Sequence, residues 1–166
     1  GPLANFILAI FIFLMINIFV GKDFTPAMIS EVTKDSPAQV AGLKKNDIIL
    51  SIDDNTVKSI LDVSKFITLS TSDFIDFKVS RYDQEINVKV KPNFVETEDN
   101  LGNKIKKRMV GIQLSPYKDT VNHQKLGPVK ALYYSVTEVY FVTTSTLKYL
   151  GTIITGKGDS SQLGGP

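Results

Sequence analysis

The stretch 37-PAQVAGLKKNDIILSIDDNTV-57 decides the fold of this 166-residue chain. Ser36 followed by Pro37 is typical of a helix cap and a first helical position, and Gly42 is typical of a helix end. The helix between them is only about one turn long. The apolar run at 47–53 then predicts a short strand.

The residues around this stretch add a second helix and three more strands. An apolar run at 28–32 predicts a strand before the short helix, and apolar residues at helical spacing predict a longer helix at 59–69. Apolar and polar residues alternate at 75–79 and at 86–90. This alternation predicts two strands with one buried face each, joined as a hairpin around 81–84.

A second hairpin is predicted at 94–108, and charge indicates its register. Pairing Glu98 with Lys104 also places Glu96 opposite Lys106, so that opposite charges meet across the strands on one face. A solvated arm is the simplest interpretation of the basic second strand. A basic cluster that contacts anionic lipid or nucleic acid is the alternative.

This order of elements resembles a PDZ domain of the bacterial protease type, which we assign to residues 23–114. The matching positions are Pro37, Ala38, Ala41, Gly42, Leu43, Asp47, Ile49, Ile52 and Val57. Asn46 and Asn55 stand where that family usually has Gly, and Asn tolerates a positive φ angle better than most residues. The resemblance implies an α+β fold, a small and partly open β-barrel with two helices.

A PDZ groove adds an extended peptide to a sheet edge and needs backbone amides turned toward the terminal carboxylate, beside an apolar pocket. The predicted peptide-binding residues are Val110, Gly111, Ile112 and Leu114, with Val63, Phe66 and Ile67 on the helix opposite. Ordinary core positions are the alternative, above all for Val63 and Ile67. Gly111 is more informative, because a strand interior disfavours glycine.

The first 22 residues predict a transmembrane helix. Residues 3–20 carry no formal charge, and as a helix they would extend roughly 27 Å, close to the ~30 Å core of a bilayer. A secretory signal peptide is the alternative, but no Lys or Arg precedes Lys22 and the cleavage site is poor.

Short motifs at both ends resemble the site-2 family of intramembrane zinc proteases. The matching positions are Gly1, Pro2, Asn5 and Phe6, then Leu163, Gly165 and Pro166. The resemblance implies regulated intramembrane proteolysis by the whole protein, in the bacterial inner membrane, with the PDZ domain on the extracytoplasmic side. Its substrates would be transmembrane proteins or their extended chain ends. Asn5 becomes a candidate neighbour of the active site, since an amide within a membrane helix needs a partner.

Zinc in that family is held by a His-Glu-x-x-His pair and a later Asp, and the Glu acts on the metal-bound water. This sequence has one histidine, His123, in a polar segment. The resemblance therefore implies that the zinc ligands lie outside this chain, which has no catalytic or metal-binding residue of its own. A membrane-tethered PDZ adaptor without catalysis is the alternative.

Composition narrows the range of partners. The 19 Lys and Arg against 17 Asp and Glu give a net charge of +2, so nothing in the overall charge favours nucleic acid as a partner. The absence of cysteine excludes disulfides and thiolate chemistry. Asp53 and Asp54 are predicted to be turn residues, because adjacent strand side chains point apart.

A long amphipathic helix is predicted at 128–155, after a linker at 115–127. Apolar and aromatic residues recur there at three- and four-residue steps, with charged residues opposite. Its tyrosines and lysines favour a helix in the membrane interface, with lipid as its partner. Packing against the PDZ domain is the alternative. The resemblance makes 156–166 a loop that leads to a further membrane segment.

Overall fold

The computed structural model describes residues 1–98, 104–119 and 121–155. The helices are α1 (Pro2–Phe19), α2 (Pro37–Ala41), α3 (Ile60–Leu69) and α4 (Pro128–Ile154), with a 3-10 turn at Tyr117–Asp119. The strands are β1 (Lys22–Asp23), β2 (Ala27–Val32), β3 (Ile48–Ile52), β4 (Asn55–Thr56), β5 (Ile75–Arg81), β6 (Gln84–Val90), β7 (Asn93–Glu98), β8 (Lys104–Met109), β9 (Ile112–Pro116) and β10 (His123–Gln124). The predicted α+β class is confirmed.

The main sheet has the strand order β6-β5-β3-β2-β9, with β4 paired to β3. Each pair in it is antiparallel. Its buried face carries Ile29, Ile52, Phe77 and Val79, and α3 contributes Val63 to the same core. Within the described residues β9 pairs with β2 alone, so it forms one edge of the sheet.

Tight turns set the registers of the hairpins. Tyr82 and Asp83 take φ angles of 50° and 60° between the paired residues Arg81 and Gln84, as a two-residue hairpin turn requires. In the second hairpin Glu96 lies opposite Lys106 in the ladder. The predicted pairing of Glu98 with Lys104 is also confirmed in the backbone register.

The two asparagines of the PDZ-like pattern behave differently. Asn46 takes a φ angle of 71°, as predicted. At the next turn Asp53 and Asp54 have the positive φ angles. Asn55 begins β4, and its side-chain amide donates to the carbonyl oxygens of Ile52 and Asp53. The expectation for Asn55 was wrong by one position, because the aspartates complete a two-residue hairpin turn.

A buried ion pair joins the 37–57 stretch to strand β5. The carboxylate of Asp47 is fully buried and accepts two hydrogen bonds of 2.7 Å from the guanidinium of Arg81. It also accepts from the Lys44 amide at 2.9 Å, and Arg81 donates to the Gly42 carbonyl at 2.8 Å. The pair therefore fixes the end of α2 against β5.

Helices α1 and α4 pack against each other as an antiparallel pair. The amide of Asn17 donates to the hydroxyl of Ser135 at 3.1 Å, and both side chains are buried. The Leu126 amide donates to the Asn17 carbonyl at 3.1 Å. Because a buried amide needs a partner, this contact fixes one register between the two helices.

Over the described ranges, no helix combines the length and the apolarity that a membrane crossing requires. Helix α1 ends at Phe19 because the chain turns at Gly21, whose φ angle is 103°. The prediction of a transmembrane helix at 1–22 is therefore not confirmed.

Replacing Arg81 with Met is expected to destabilise the fold by about 3–5 kcal/mol, because it leaves the Asp47 carboxylate buried and unpaired. Urea unfolding followed by circular dichroism measures the change. Lys78→Met is the matched control, since the Lys78–Glu85 pair of 3.4 Å lies exposed on the same hairpin and should contribute less than about 1 kcal/mol. Equal losses for the two variants would contradict a structural role for the buried pair.

Candidate peptide-binding groove

The sheet edge formed by β9 is the first wall of the candidate groove. Ile112 lies opposite Val32 and Leu114 lies opposite Ile29 in the ladder with β2. Both β9 side chains are partly buried against the core. An edge strand of this kind has one row of backbone donors and acceptors available to a further strand.

Gly111 forms the turn that leads into this edge. Its φ angle is 81°, and its carbonyl accepts hydrogen bonds from the Thr33 amide at 2.9 Å and the Ser36 hydroxyl at 3.3 Å. The Val110 carbonyl accepts from the Ala38 amide at 2.9 Å. A Cβ atom at position 111 would lie 2.3 Å from the Cβ of Ser36, so only glycine fits this turn.

Helix α3 lies beside the edge, and its predicted groove residues divide into two groups. Val63 and Ile67 are buried in the core, which agrees with the alternative interpretation of these two positions. Phe66 instead packs edge-on against Phe141 of α4, with ring centroids 5.2 Å apart. Of the seven predicted positions, the structure places Gly111, Ile112 and Leu114 along the edge, while Val110 is buried beneath the turn.

Arg108, which was predicted to lie on a solvated arm, contacts the segment that follows α3. It is only partly exposed, it donates to the Ser72 carbonyl at 2.7 Å, and its guanidinium lies 5.3 Å from the ring centroid of Phe94. Burial lowers the pKa of Arg108, although Asp73 and Asp53 act in the opposite direction. The neighbouring Lys107 is exposed, as predicted.

Arg108 therefore links the segment after α3 to strand β8, which ends two residues before Gly111. A usable signal was its position, three residues before the only glycine of the 109–114 segment. The basic run masked that signal, because Lys106 and Lys107 are exposed while Arg108 is only partly exposed.

Asn5 lies away from this groove. It lines, with Phe6, Phe13, Val142 and Thr143, an apolar groove of about 410 Å³ between α1 and α4. Its side chain is exposed there. The structure thus places an amide on an apolar surface but brings no catalytic group to it among the described residues.

No three His, Cys, Asp or Glu side chains come together as a metal site in the part of the chain that the structure describes. His123 is exposed, and its Nε2 lies 2.9 Å from the carbonyl oxygen of Val20 at the end of α1. The described His, Asp and Glu residues do not form a site that fits a zinc ion, so no chemical step through zinc is assigned to them.

Comparison with known proteins agrees with this geometry. Residues 28–73 match the PDZ domain family. The whole chain aligns with a protein of Agrobacterium fabrum named "Putative zinc metalloprotease Atu1380", with 33% identity over 100% of this chain and 44% of that protein. It also aligns with the metalloprotease MmpA of Caulobacter vibrioides, with 28% identity over 99% of this chain and 41% of that protein. The chain thus matches, over its whole length, a segment of these metalloproteases, and it contains a match to the PDZ domain family.

The chain spans less than half the length of these relatives. Among solved structures, the PDZ domain of the SdrC-like protein from Listeria monocytogenes matches 55% of this chain and 88% of that one, with 23% identity and a TM-score of 0.43. The range 28–73, which matches the PDZ domain family, contains β2, α2, β3, β4 and α3 of this chain. The edge strand β9 lies outside that range.

Gly111→Ala is expected to destabilise the fold by about 3 kcal/mol, because the new methyl group overlaps Ser36 in addition to the strain of a positive φ angle. Gly42→Ala is the matched control. Gly42 has a φ angle of 92° but nothing within 4 Å of its Cβ position, so only the strain of about 1–2 kcal/mol applies. Thermal or urea unfolding compares the two variants.

Ser36→Gly tests the steric part of this account separately. It removes the overlapping Cβ atom, and glycine at a helix cap costs only a few tenths of a kcal/mol. Gly111→Ala is expected to be more destabilising than Gly42→Ala, and the excess is assigned to the contact with Ser36. Combining Ser36→Gly with Gly111→Ala should therefore remove most of this excess. Failure to remove it would mean that the contact with Ser36 does not limit position 111.

Proposed function

We propose that this segment recognises substrates for a membrane-embedded zinc metalloprotease that performs regulated intramembrane proteolysis. In this proposal the groove between β9 and α3 binds extended chain ends of transmembrane proteins, or gates their access to the protease. The observation that carries the proposal is the edge strand β9, which follows the left-handed turn of Gly111. Arg108 precedes that turn by three residues in the sequence.

The edge strand supplies the means to bind an extended chain. Main-chain hydrogen bonds along a sheet edge give affinity for any extended peptide, and side-chain pockets give selectivity. Ile112 and Leu114 are partly exposed at this edge. They therefore favour a peptide with apolar residues near its end.

Arg108 supplies the means to select a terminal carboxylate. Arg108 is only partly exposed and burial lowers its pKa, so an incoming anion would offset part of this desolvation. Charge-assisted hydrogen bonds to a carboxylate are among the stronger ones in proteins. A free chain end is thus a better ligand than an internal extended segment.

The protease activity itself belongs to the parts of the parent protein outside this chain. The relatives are named as zinc metalloproteases, and this supports zinc as the cofactor of the parent. We propose that the zinc ligands lie outside this segment and that the segment alone does not cleave peptide bonds.

The helix pair supports a membrane location. Large apolar side chains are exposed on both helices, among them Leu3, Ile7, Phe11 and Phe19 of α1 and Leu132, Tyr140 and Leu147 of α4. Contiguous exposed apolar surface marks a contact with lipid or protein. We place the helix pair against lipid of the bacterial inner membrane, with the PDZ domain on the extracytoplasmic side.

Peptide titration tests the groove. A library of peptides with apolar C-terminal residues should shift the amide resonances of 110–114 with about micromolar affinity, and amidation of the peptide end should weaken binding. Arg108→Gln should cost about tenfold in affinity for the free carboxylate and almost nothing for the amidated peptide. Lys107→Gln is the matched control. Unmoved resonances across the library, or equal effects of the two variants, would exclude carboxylate recognition here.

Site-specific labels test the membrane contact. The native sequence has no cysteine, so single cysteines at Val136 and Leu147, which are exposed, can carry a fluorophore. In vesicles both labels should be quenched by a lipid-phase quencher. A label at Ala131, which is fully buried, should be reached by neither lipid-phase nor aqueous quencher. Quenching of the first two labels from water alone would contradict the lipid contact.

A further inference from the structure

The long helix α4 lies against α3 on the side away from the sheet. The carboxylate of Glu138 pairs with the ammonium group of Lys65 and lies 3.8 Å from that of Lys22. Each of these three side chains is about one quarter exposed. The triad therefore joins α4 to α3 and to β1 in a partly dehydrated setting.

Aromatic contacts reinforce the triad on both sides. The Nζ atom of Lys65 lies 4.5 Å from the ring centroid of Phe141, which also packs edge-on against Phe66. The Nζ atom of Lys22 lies 5.5 Å from the ring centroid of Tyr134. Cation–π contacts of this kind add to the ion pair when they are shielded from water.

Helix α3 is thus held on two faces. Val63 and Ile67 anchor one face in the core beneath the sheet, and Lys65 and Phe66 attach the other face to α4. Helix α3, which has ten residues, also contacts β3, β8 and β9. Its position therefore depends on α4 as well as on the sheet.

We propose that Glu138 and Phe141 are positioning residues for the peptide groove. Their docking on α3 holds α3 at the distance from β9 that a bound peptide needs. When the docking is lost, α3 must be ordered as the peptide binds, and this ordering reduces affinity. The inference rests on the proposed function, because it assigns a support to the same groove.

The link acts in both directions, as thermodynamic coupling requires. A peptide that orders α3 must also strengthen the docking of α4. Helix α4 is in turn fixed to α1 by the contact between Ser135 and Asn17. Occupancy of the groove is therefore transmitted to the helix pair through contacts that are all side chain to side chain.

Peptide affinity of the full chain in detergent micelles tests the proposal. Glu138→Gln keeps the shape of the side chain but removes its charge, and it should weaken peptide binding at least about fivefold. Glu138→Asp should restore part of the loss, since it restores the charge. Glu85→Gln is the matched control, because it removes the exposed partner of Lys78 and should leave the affinity unchanged.

Phe141→Ala gives an independent variant that leaves every ion pair in place, and it should also weaken binding. Amide hydrogen exchange in 134–141 gives an independent measurement on the unmodified chain. Saturating peptide should slow exchange there, and raised salt should diminish the effect by screening the triad.

The outcomes separate this inference from the proposed function. If the unmodified chain binds peptide while Glu138→Gln and Phe141→Ala bind it equally well and exchange in 134–141 does not change, the support role is overturned and the groove remains. If the unmodified chain binds no peptide from the library, the proposed function falls and the inference falls with it.

Discussion

The left-handed backbone at Gly111 is the constraint on which the groove depends. It lets the chain return from the second hairpin and pair β9 with β2, about eighty residues earlier in the sequence, while the Gly111 carbonyl is held by Thr33 and Ser36. Any larger residue would collide with Ser36. Because this junction also starts the sheet edge, the fold and the candidate binding site share one geometric requirement.

Arg81 and Arg108 are both partly buried, but their roles differ. Arg81 stabilises the fold, whereas Arg108 is a candidate for ligand recognition. The hydrogen bonds that Arg81 donates to Asp47 raise the pKa of Arg81 above its usual value, so this cation is paired with a carboxylate. Burial lowers the pKa of Arg108, whose strong contact is a carbonyl oxygen rather than a carboxylate. A buried pair such as Asp47 with Arg81 favours a specific arrangement more than it adds net stability. Arg108 is the cation that an incoming anion would stabilise.

The sequence predicted what local patterns determine. The cap at Ser36, the alternation in β5 and β6, and the charge pairing of β7 with β8 are all encoded within a few residues, and these elements are confirmed. The helix predicted at 128–155 is α4.

The contacts that the sequence did not predict join residues far apart. Nothing local indicates that Asn17 meets Ser135, that Phe66 meets Phe141, or that Lys65 meets Glu138, because each pair is brought together only by the packing of whole elements. The two-residue strands β1 and β10 have too few residues for a pattern. Arg108 was missed because of its local sequence. Its neighbours Lys106 and Lys107 are exposed, and the basic run predicted that Arg108 would be exposed as well.

The most direct test of peptide recognition is a set of nuclear Overhauser contacts between a bound peptide with a free carboxylate and the backbone protons of β9. The bound peptide should form a strand antiparallel to β9, with its last residue beside Gly111 and its preceding residues beside Ile112 and Leu114. Contacts from the peptide to other surfaces of the chain, with none to β9, would contradict it.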